Sequence, residues 1–348
     1  MDLEFTGEQD ALRASVRDVL TRECPTSVVR ALVEHGEYPD ALWKRMVELD
    51  WPMLAVPEAA GGVGYGFVEL AVVAEELGRA LAPSPFEAVS TQYQPLLLAL
   101  GEPIAPGVTG TMAFEGSACV VRDGRIRGTK RYVFDADGVD VLAVVVDDDS
   151  DGPAVYAVDP AAGGVSITPL HSLDPTRRLA TVEFADAPSE LLGTPGPPTA
   201  TALTRVLEEA TTVIALETVG TCQALFDMAL QYAKDRQQFG VPIGSFQAIK
   251  HKLADMFVAL ERARATAYFA ALAIAEHDER RPLAVAMAKA AAGDAQRLIA
   301  QEAIQIHGGI GYTWEHDLHL FVKRALAGDA LFGRASMHRQ RIATLLGV

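Results

Sequence analysis

Two stretches of this chain carry residues whose types and spacing suit chemistry. The first, DRQQFGVPIGSFQAIKH, sets Arg236 against a Phe239-Gly240 break, and the second, QIHGGIGYTWEH, ends a helical pattern in the pair Gly308-Gly309. An arginine offers planar, paired donors, and glycines let backbone amides come close to a partner; together they suit an anion. Each feature also has a plainer reading: Arg236 as a surface cation, Phe239 as a core aromatic, Gly308-Gly309 as the C-cap of a helix. His316 and His319 stand at i, i+3, a spacing that suits a metal, but no third ligand cluster accompanies them, and we read them as helix or interface residues.

Long helices must position these stretches. Residues 201 to 348 show apolar positions at three- and four-residue steps in LTRVLEEATTVIALETVGTCQALFDMALQYAKDR, in SFQAIKHKLADMFVALERARATAYFAALAIAEHD, in PLAVAMAKAAAGDAQRLIAQEAIQIHGG and in a shorter last helix. Alanine-rich and apolar on more than one face, they read as an antiparallel bundle with spare surface buried against another subunit. EQDALRASVRDVLTREC and VELAVVAEELGRAL mark a helical region at the start, interrupted by a glycine loop, VPEAAGGVGYG. Between them, VLAVVVDD, PAVYAVDP, GVSITPL and RLATVEFAD are short strands broken by Gly, Pro and Asp, the pattern of a small antiparallel domain. DDDSDG reads as an exposed turn within it, and SELLGTPGPPTAT as a linker back into helix. The expected fold is α+β and mostly α: an N-terminal helical domain at 1–104, a middle β domain at 105–193 and a C-terminal four-helix bundle at 200–348.

Composition removes several function classes. At 348 residues the chain is long enough for two or three domains. No apolar run approaches the ~20 residues of a membrane span, and MDLEFTGEQDALRASV lacks the basic start and apolar stretch of a secretory signal, so a cytoplasmic protein is expected. A net charge of −16 without a basic stripe excludes nucleic acid as an expected partner. Cys24, Cys119 and Cys222 lie far apart in odd number, which fits buried thiols better than a disulfide framework.

The order helices, β domain, helices resembles the acyl-CoA dehydrogenases over nearly the whole chain. VPEAAGGVGYGFVELAVVAEELGRALAPSP is similar to the family's N-terminal signature, and RIRGTKRYVFDADGVDVLAVVV to its β-domain stretch, where a Gly-x-Lys precedes a strand. DRQQFGVPIGSFQAIKHKLADM and QIHGGIGYTWEHDLHLFVKRA are the most specific strings. The resemblance implies an FAD whose ADP half is wrapped by this chain while its ring sits in a facing subunit. It places Arg236 on the pyrophosphate, Gln238 and Phe239 beside the phosphates or adenine, Gln305, Gly308 and Gly309 at the adenosine end, and Gln247 nearby.

The family removes an α proton from an acyl-CoA thioester with a carboxylate while hydride leaves the β carbon for the flavin, so a base must stand over the ring. Here the sequence departs from the pattern. Where most members carry Tyr-Glu-Gly-Thr, this chain reads ALFGRASMHRQR, with Gly333 at the glutamate's place. The second family location, a Glu-Arg pair on the first bundle helix, falls on Ala210 and Thr211; Glu208 and Glu209 are adjacent, but one residue of helix turns a side chain by roughly 100°. Glu217 and Glu315 are the substitute candidates, each more plainly read as a solvated or salt-bridged helix residue. The flavin-gripping Thr-Glu-Pro-x-x-Gly-Ser-Asp segment is reduced to Glu115, Gly116 and Ser117, and Asp174, Arg177 and Arg178 match a structural stretch.

The chain thus resembles the short partner subunits of bacterial α2β2 acyl-CoA dehydrogenases of steroid degradation. That implies desaturation of a bulky, steroid-derived acyl-CoA with a base-bearing second subunit and an electron-transfer flavoprotein as acceptor. The alternatives are a self-sufficient homo-oligomer using Glu217 or Glu315, a non-catalytic scaffold for acyl-CoA or FAD, and a flavin-dependent oxygenase.

Overall fold

The computed structural model describes residues 4–148 and 152–348. The middle of the expected DDDSDG turn and the first three residues of the N-terminal reading lie outside the described residues. In chain order come α1 (Gly7–Glu23), α2 (Thr26–His35), α3 (Asp40–Glu48) and α4 (Phe67–Ala80). α1 begins at a capping box, the Thr6 hydroxyl accepting from the Gln9 N–H and the Gln9 side chain from the Thr6 N–H. The expected glycine loop precedes α4 and holds a 3₁₀ turn, Glu58–Ala60. The short α5 (Phe86–Ala88) runs through a π-helical segment, Val89–Tyr93, into α6 (Gln94–Leu100).

Eight strands follow: β1 (Gly110–Ala113), β2 (Val120–Arg122), β3 (Arg125–Phe134), β4 (Val141–Asp148), β5 (Gly152–Val158), β6 (Val165–Pro169), β7 (Leu179–Pro188) and β8 (Glu190–Leu192). They form two four-stranded sheets, ordered β1-β4-β5-β8 and β2-β3-β7-β6. The expectation of a wholly antiparallel domain is corrected at one pair: β1 runs parallel to β4, with Gly110 opposite Val141. Between them the chain crosses into the other sheet through β2 and β3 and returns in the same direction, as a parallel pair requires. The Gly-x-Lys of the β signature also sits inside a strand, since Gly128 and Lys130 both belong to β3.

The rest is helical: α7 (Pro197–Asp235), a two-stranded ribbon of β9 (Gln237–Gln238) and β10 (Val241–Pro242), then α8 (Gln247–Ala275), α9 (Arg281–His307), α10 (Leu318–Ala330) and α11 (Ala335–Leu345). The expected short last helix is therefore two, broken where Phe332 and Gly333 take positive φ. By length and composition α7 can cross a membrane, which corrects the expectation that no segment is so apolar, yet 78% of its apolar stretch is buried inside the protein, as in a core helix.

Contacts gather the chain into two compact units. One contains the residues up to Tyr38, Gly66–Ala82 and Thr211–Val348; the other contains Pro39–Tyr65 and Pro83–Ala210. The second unit is built on the sheets, with Val133, Leu142, Val144, Val182 and Phe184 in one apolar cluster and Tyr93, Leu96, Met112 and Val155 in another.

In the first unit α4 and α7 cross with their backbones in contact. A Cβ on Gly78 would lie 2.0 Å from the Glu217 carbonyl oxygen and one on Gly220 1.8 Å from that of Glu75, so only glycine fits. Charged side chains lock the surrounding helices. Glu75 of α4 accepts from Arg264 at 2.9 Å and from the Tyr268 hydroxyl at 2.7 Å, both on α8, while Arg17 of α1 grips Glu76 with two donors at 2.9 and 2.6 Å. The three cysteines are buried and free.

Lys289 of α9 is a buried cation, 1% exposed, and its ammonium donates to the Gly328 and Asp329 carbonyls at 3.0 Å each, capping the end of α10. Burial pushes its pKa from 10.5 down to about 8. Between these values the unfolded chain binds more protons than the folded one, so the contribution of this group to stability rises with pH. We expect the stability deficit of wild type relative to Lys289→Met to shrink by up to about 3 kcal/mol between pH 8 and pH 10.5, read from urea unfolding. A constant difference across that range would show the lysine to be ordinarily protonated.

Candidate functional site

α7 ends at Asp235, and the Arg236 N–H still donates to the Tyr232 carbonyl at 2.8 Å. The chain then turns through β9 and β10, with Phe239 at φ 54 and Gly240 at φ 80 as the two central residues. A two-residue hairpin favours positive φ at both positions; glycine accepts it freely, while a bulky residue is strained by on the order of 1–3 kcal/mol. Phe239 holds this strain while 92% exposed, touching the Phe246 ring edge-on at 6.1 Å. α8 then starts at Gln247 without a side-chain cap, leaving backbone amides at its positive end for an external acceptor.

The second stretch closes α9. Gly308 is its C-cap at φ 63, ψ −139, a conformation glycine alone adopts readily. Gly309 has no such reason: its φ is not positive, and no atom lies within 4 Å of where its Cβ would stand. Within this chain nothing requires glycine there. The segment continues through exposed Ile310, Tyr312 (79%) and Trp314, and it is anchored to α2. Arg30 donates to the Trp314 carbonyl at 2.9 Å and to Asp317 at 2.6 Å, and the Trp314 indole N–H donates to Glu34 at 3.0 Å.

The residues expected to hold the cofactor, Arg236, Gln238, Phe239, Gln247, Gln305, Gly308 and Gly309, are all exposed. The Tyr232 ring stacks on His307 at 4.5 Å, which sets the end of α7 beside the end of α9. The donor set fits a dinucleotide: a planar cation, carboxamides, an exposed aromatic, uncapped helix amides and two glycines without covering side chains. Sequence reasoning passed over Tyr232 and His307, although one stands a helical turn before Arg236 and the other directly before Gly308.

The substitute bases lie elsewhere. Glu217 is buried in an ion pair with Arg324 of α10, the two side chains 3% and 4% exposed. Glu315 is exposed, and its own backbone N–H and the Thr313 hydroxyl hold its carboxyl below the usual range. Ala210 and Thr211 are buried without a carboxylate between them; of their neighbours, Glu209 is held by Arg205 at 2.8 Å. At the other base position Gly333 sits at φ 95 in a turn held by the His338 Nε2–H, which donates to the Phe332 carbonyl at 2.9 Å.

The shortened β-domain segment is used internally. Gly116 bridges Lys130 of β3, the Ser117 N–H donates to the Thr129 carbonyl at 3.0 Å, and the Arg131 N–H to the Glu115 carbonyl at 2.8 Å. His316 meets the His307 ring at 4.9 Å and His319 stacks on Trp314 at 4.5 Å; among the described residues no three His, Cys, Asp or Glu gather as metal ligands.

Comparison with known proteins agrees with this architecture. The N-terminal domain of acyl-CoA dehydrogenases matches residues 6–103 and their C-terminal domain residues 200–346. The chain is 33% identical over 320 residues to the acyl-CoA dehydrogenase IpdE2 of Mycobacterium tuberculosis, covering 91% of each. Among solved structures, it superposes with a TM-score of 0.90 at 26% identity on the ChsE4-ChsE5 complex of the same organism, covering 100% of this chain and 99% of that one. The Tcur3481-Tcur3483 steroid ACAD gives 0.85 at 25% identity, with 98% of each chain covered. On sequence and fold together, the chain belongs to the acyl-CoA dehydrogenase family of FAD-dependent oxidoreductases.

Proposed function

We propose that the chain is the base-lacking subunit of a hetero-oligomeric acyl-CoA dehydrogenase. The observation that carries this reading is a contrast: Gly333 occupies the base position inside an internally bonded turn, while Phe239 and Gly309 stand exposed with features that nothing within the chain explains. In this reading Arg236 holds the pyrophosphate, with Gln238, Phe239 and the first amides of α8 beside it. Gln305, Gly308 and Gly309 line the adenosine end, and Gln247 stands close. FAD supplies the acceptor for the hydride that leaves the β carbon; the α proton goes to a carboxylate of the second subunit. The chain's own part is to bind and orient the dinucleotide tail.

The likeness to a two-protein complex and to a steroid ACAD supports a hetero-oligomer acting on a bulky, steroid-derived acyl-CoA; an α2β2 stoichiometry and an electron-transfer flavoprotein as acceptor belong to the same proposal. The experiment is reconstitution. Purified alone, the chain is expected to carry little flavin and to reduce no dye with any acyl-CoA. Purified with a base-bearing family member, it is expected to carry stoichiometric FAD and to desaturate steroid-derived thioesters. A bright yellow, active homo-oligomer would sink the proposal and leave Glu315 as the exposed carboxylate to test.

A further inference from the structure

The end of α7 and the end of α9 are joined by a short column of rings. Tyr232 stacks on His307 at 4.5 Å with 26° between planes, and His316 meets the other ring edge-on at 4.9 Å. The outer members are tied to the Arg236 hairpin and to the start of α10. The Tyr232 carbonyl accepts the Arg236 N–H, and the His316 Nδ1 accepts the Leu318 N–H at 3.1 Å. His307 itself is 4% exposed, and its Cβ lies 3.1 Å from where a Cβ on Gly311 would stand, so the glycine turn folds over it.

The hydrogen bonds assign the protons. A carbonyl only accepts, so the His307 Nδ1 that lies 2.7 Å from the Ala303 carbonyl must carry hydrogen, leaving Nε2 as the basic atom of the neutral ring. His316 is the opposite tautomer when neutral, its Nδ1 being the acceptor. Tyr232 and His316 are titratable groups whose rings meet the His307 ring. Burial holds the His307 pKa below its ordinary 6.5, and His316 lowers it further. A second proton would place a cation in a closed aromatic column, where among the described residues no carboxylate pairs with it.

We propose that His307 is a positioning residue for the cofactor: clamped between Tyr232 and His316, it holds the Gly308-Gly309 turn in register with the Arg236 hairpin, so that the pyrophosphate and the adenosine end of the dinucleotide meet one rigid surface. The proposal rests on the reading of those two segments as the FAD grip. It gives a neutral ring a purpose at this point of the fold. Order prepared before binding is entropy not lost during it, so loosening the column weakens FAD affinity without removing a contact to FAD.

The test is FAD titration of the assembled enzyme, followed by flavin fluorescence, from pH 5.5 to 8. At pH 8 His307→Ala is expected to bind FAD about tenfold more weakly than wild type, and His307→Phe, which keeps a stacked ring, to stay within about threefold. Acid supplies the sign. Protons bind the loosened column better than the clamped one, so wild-type affinity falls as the pH drops below about 6.5, and the fall is flattened in His307→Phe, which removes the His307 imidazole. Arg236→Ala separates the layers. If it leaves FAD affinity unchanged, the grip itself is misassigned; if it weakens binding while His307→Ala does not, only the brace falls. Should His307→Ala fail to fold, the pH profile of His307→Phe decides alone, and a profile as steep as wild type overturns the proposal.

Discussion

Replacing Glu217 by glutamine is expected to lower the unfolding free energy by about 3–5 kcal/mol, the range for breaking a buried ion pair from one side. The carboxylate faces Arg324, and the two side chains are 3% and 4% exposed, so no solvent screens the loss. Glutamine keeps the shape and removes the charge, leaving a guanidinium in the interior of the helical unit without that carboxylate. Removing both charges is a different perturbation: Glu217→Leu combined with Arg324→Met is expected to recover most of the stability, because apolar residues of similar volume replace such a pair at little net cost. Urea unfolding of the three proteins measures this. The outcome also bears on catalysis, because a side chain engaged inside the α7–α10 contact is not poised over a substrate. If Glu217→Gln kept wild-type stability and lost desaturation in a purified homo-oligomer, the residue would be a base and the subunit reading would fall.

The large elements were legible because helices announce themselves through periodicity over tens of residues. α7, α8 and α9 bury apolar residues on more than one face, and the patterns that located them are the ones the packing uses. Pairing direction was not legible. The parallel partnership of β1 and β4 depends on a crossing between two sheets, and no local residue records it. The break between α10 and α11 had only Gly333 as a signal, and one glycine does not reveal that Phe332 also turns left-handed. At the candidate site the arginine and the glycines were visible as types. Their relation was not, because the Tyr232–His307 contact joins residues far apart in sequence, and aromatic residues at helix ends read first as core. Glu217 shows the same limit: the sequence leaves it solvated or salt-bridged, and only the fold names its partner, Arg324 of another helix.

Gly333→Glu, which restores the family's carboxylate by sequence position, is expected to yield no desaturase and to cost about 2–4 kcal/mol of stability. Position 333 has φ 95, a conformation L side chains rarely adopt, and it follows Phe332 at φ 52. A Cβ there would stand 3.0 Å from the His338 Nε2, the atom that donates to the Phe332 carbonyl and holds the turn closed. The new side chain therefore presses on the ring that shapes its own backbone. On the far side, Asp329 accepts from the Ala335 N–H at 3.1 Å and starts α11, while Lys289 holds the end of α10, so the turn has little slack to relax. Gly333→Ala isolates the backbone part of the penalty, and the difference between the two variants reports the carboxylate. On the proposed reading even a tolerated glutamate would lack a home flavin, the shortened segment at Gly116 and Ser117 being paired onto β3. Dye reduction by the variant alone is expected to stay at background, while its assembly with a base-bearing partner keeps its rate within about threefold, because in the proposed assembly the partner supplies the base. Desaturation by Gly333→Glu without a partner would show that the site is merely disarmed and that the chain houses its own flavin.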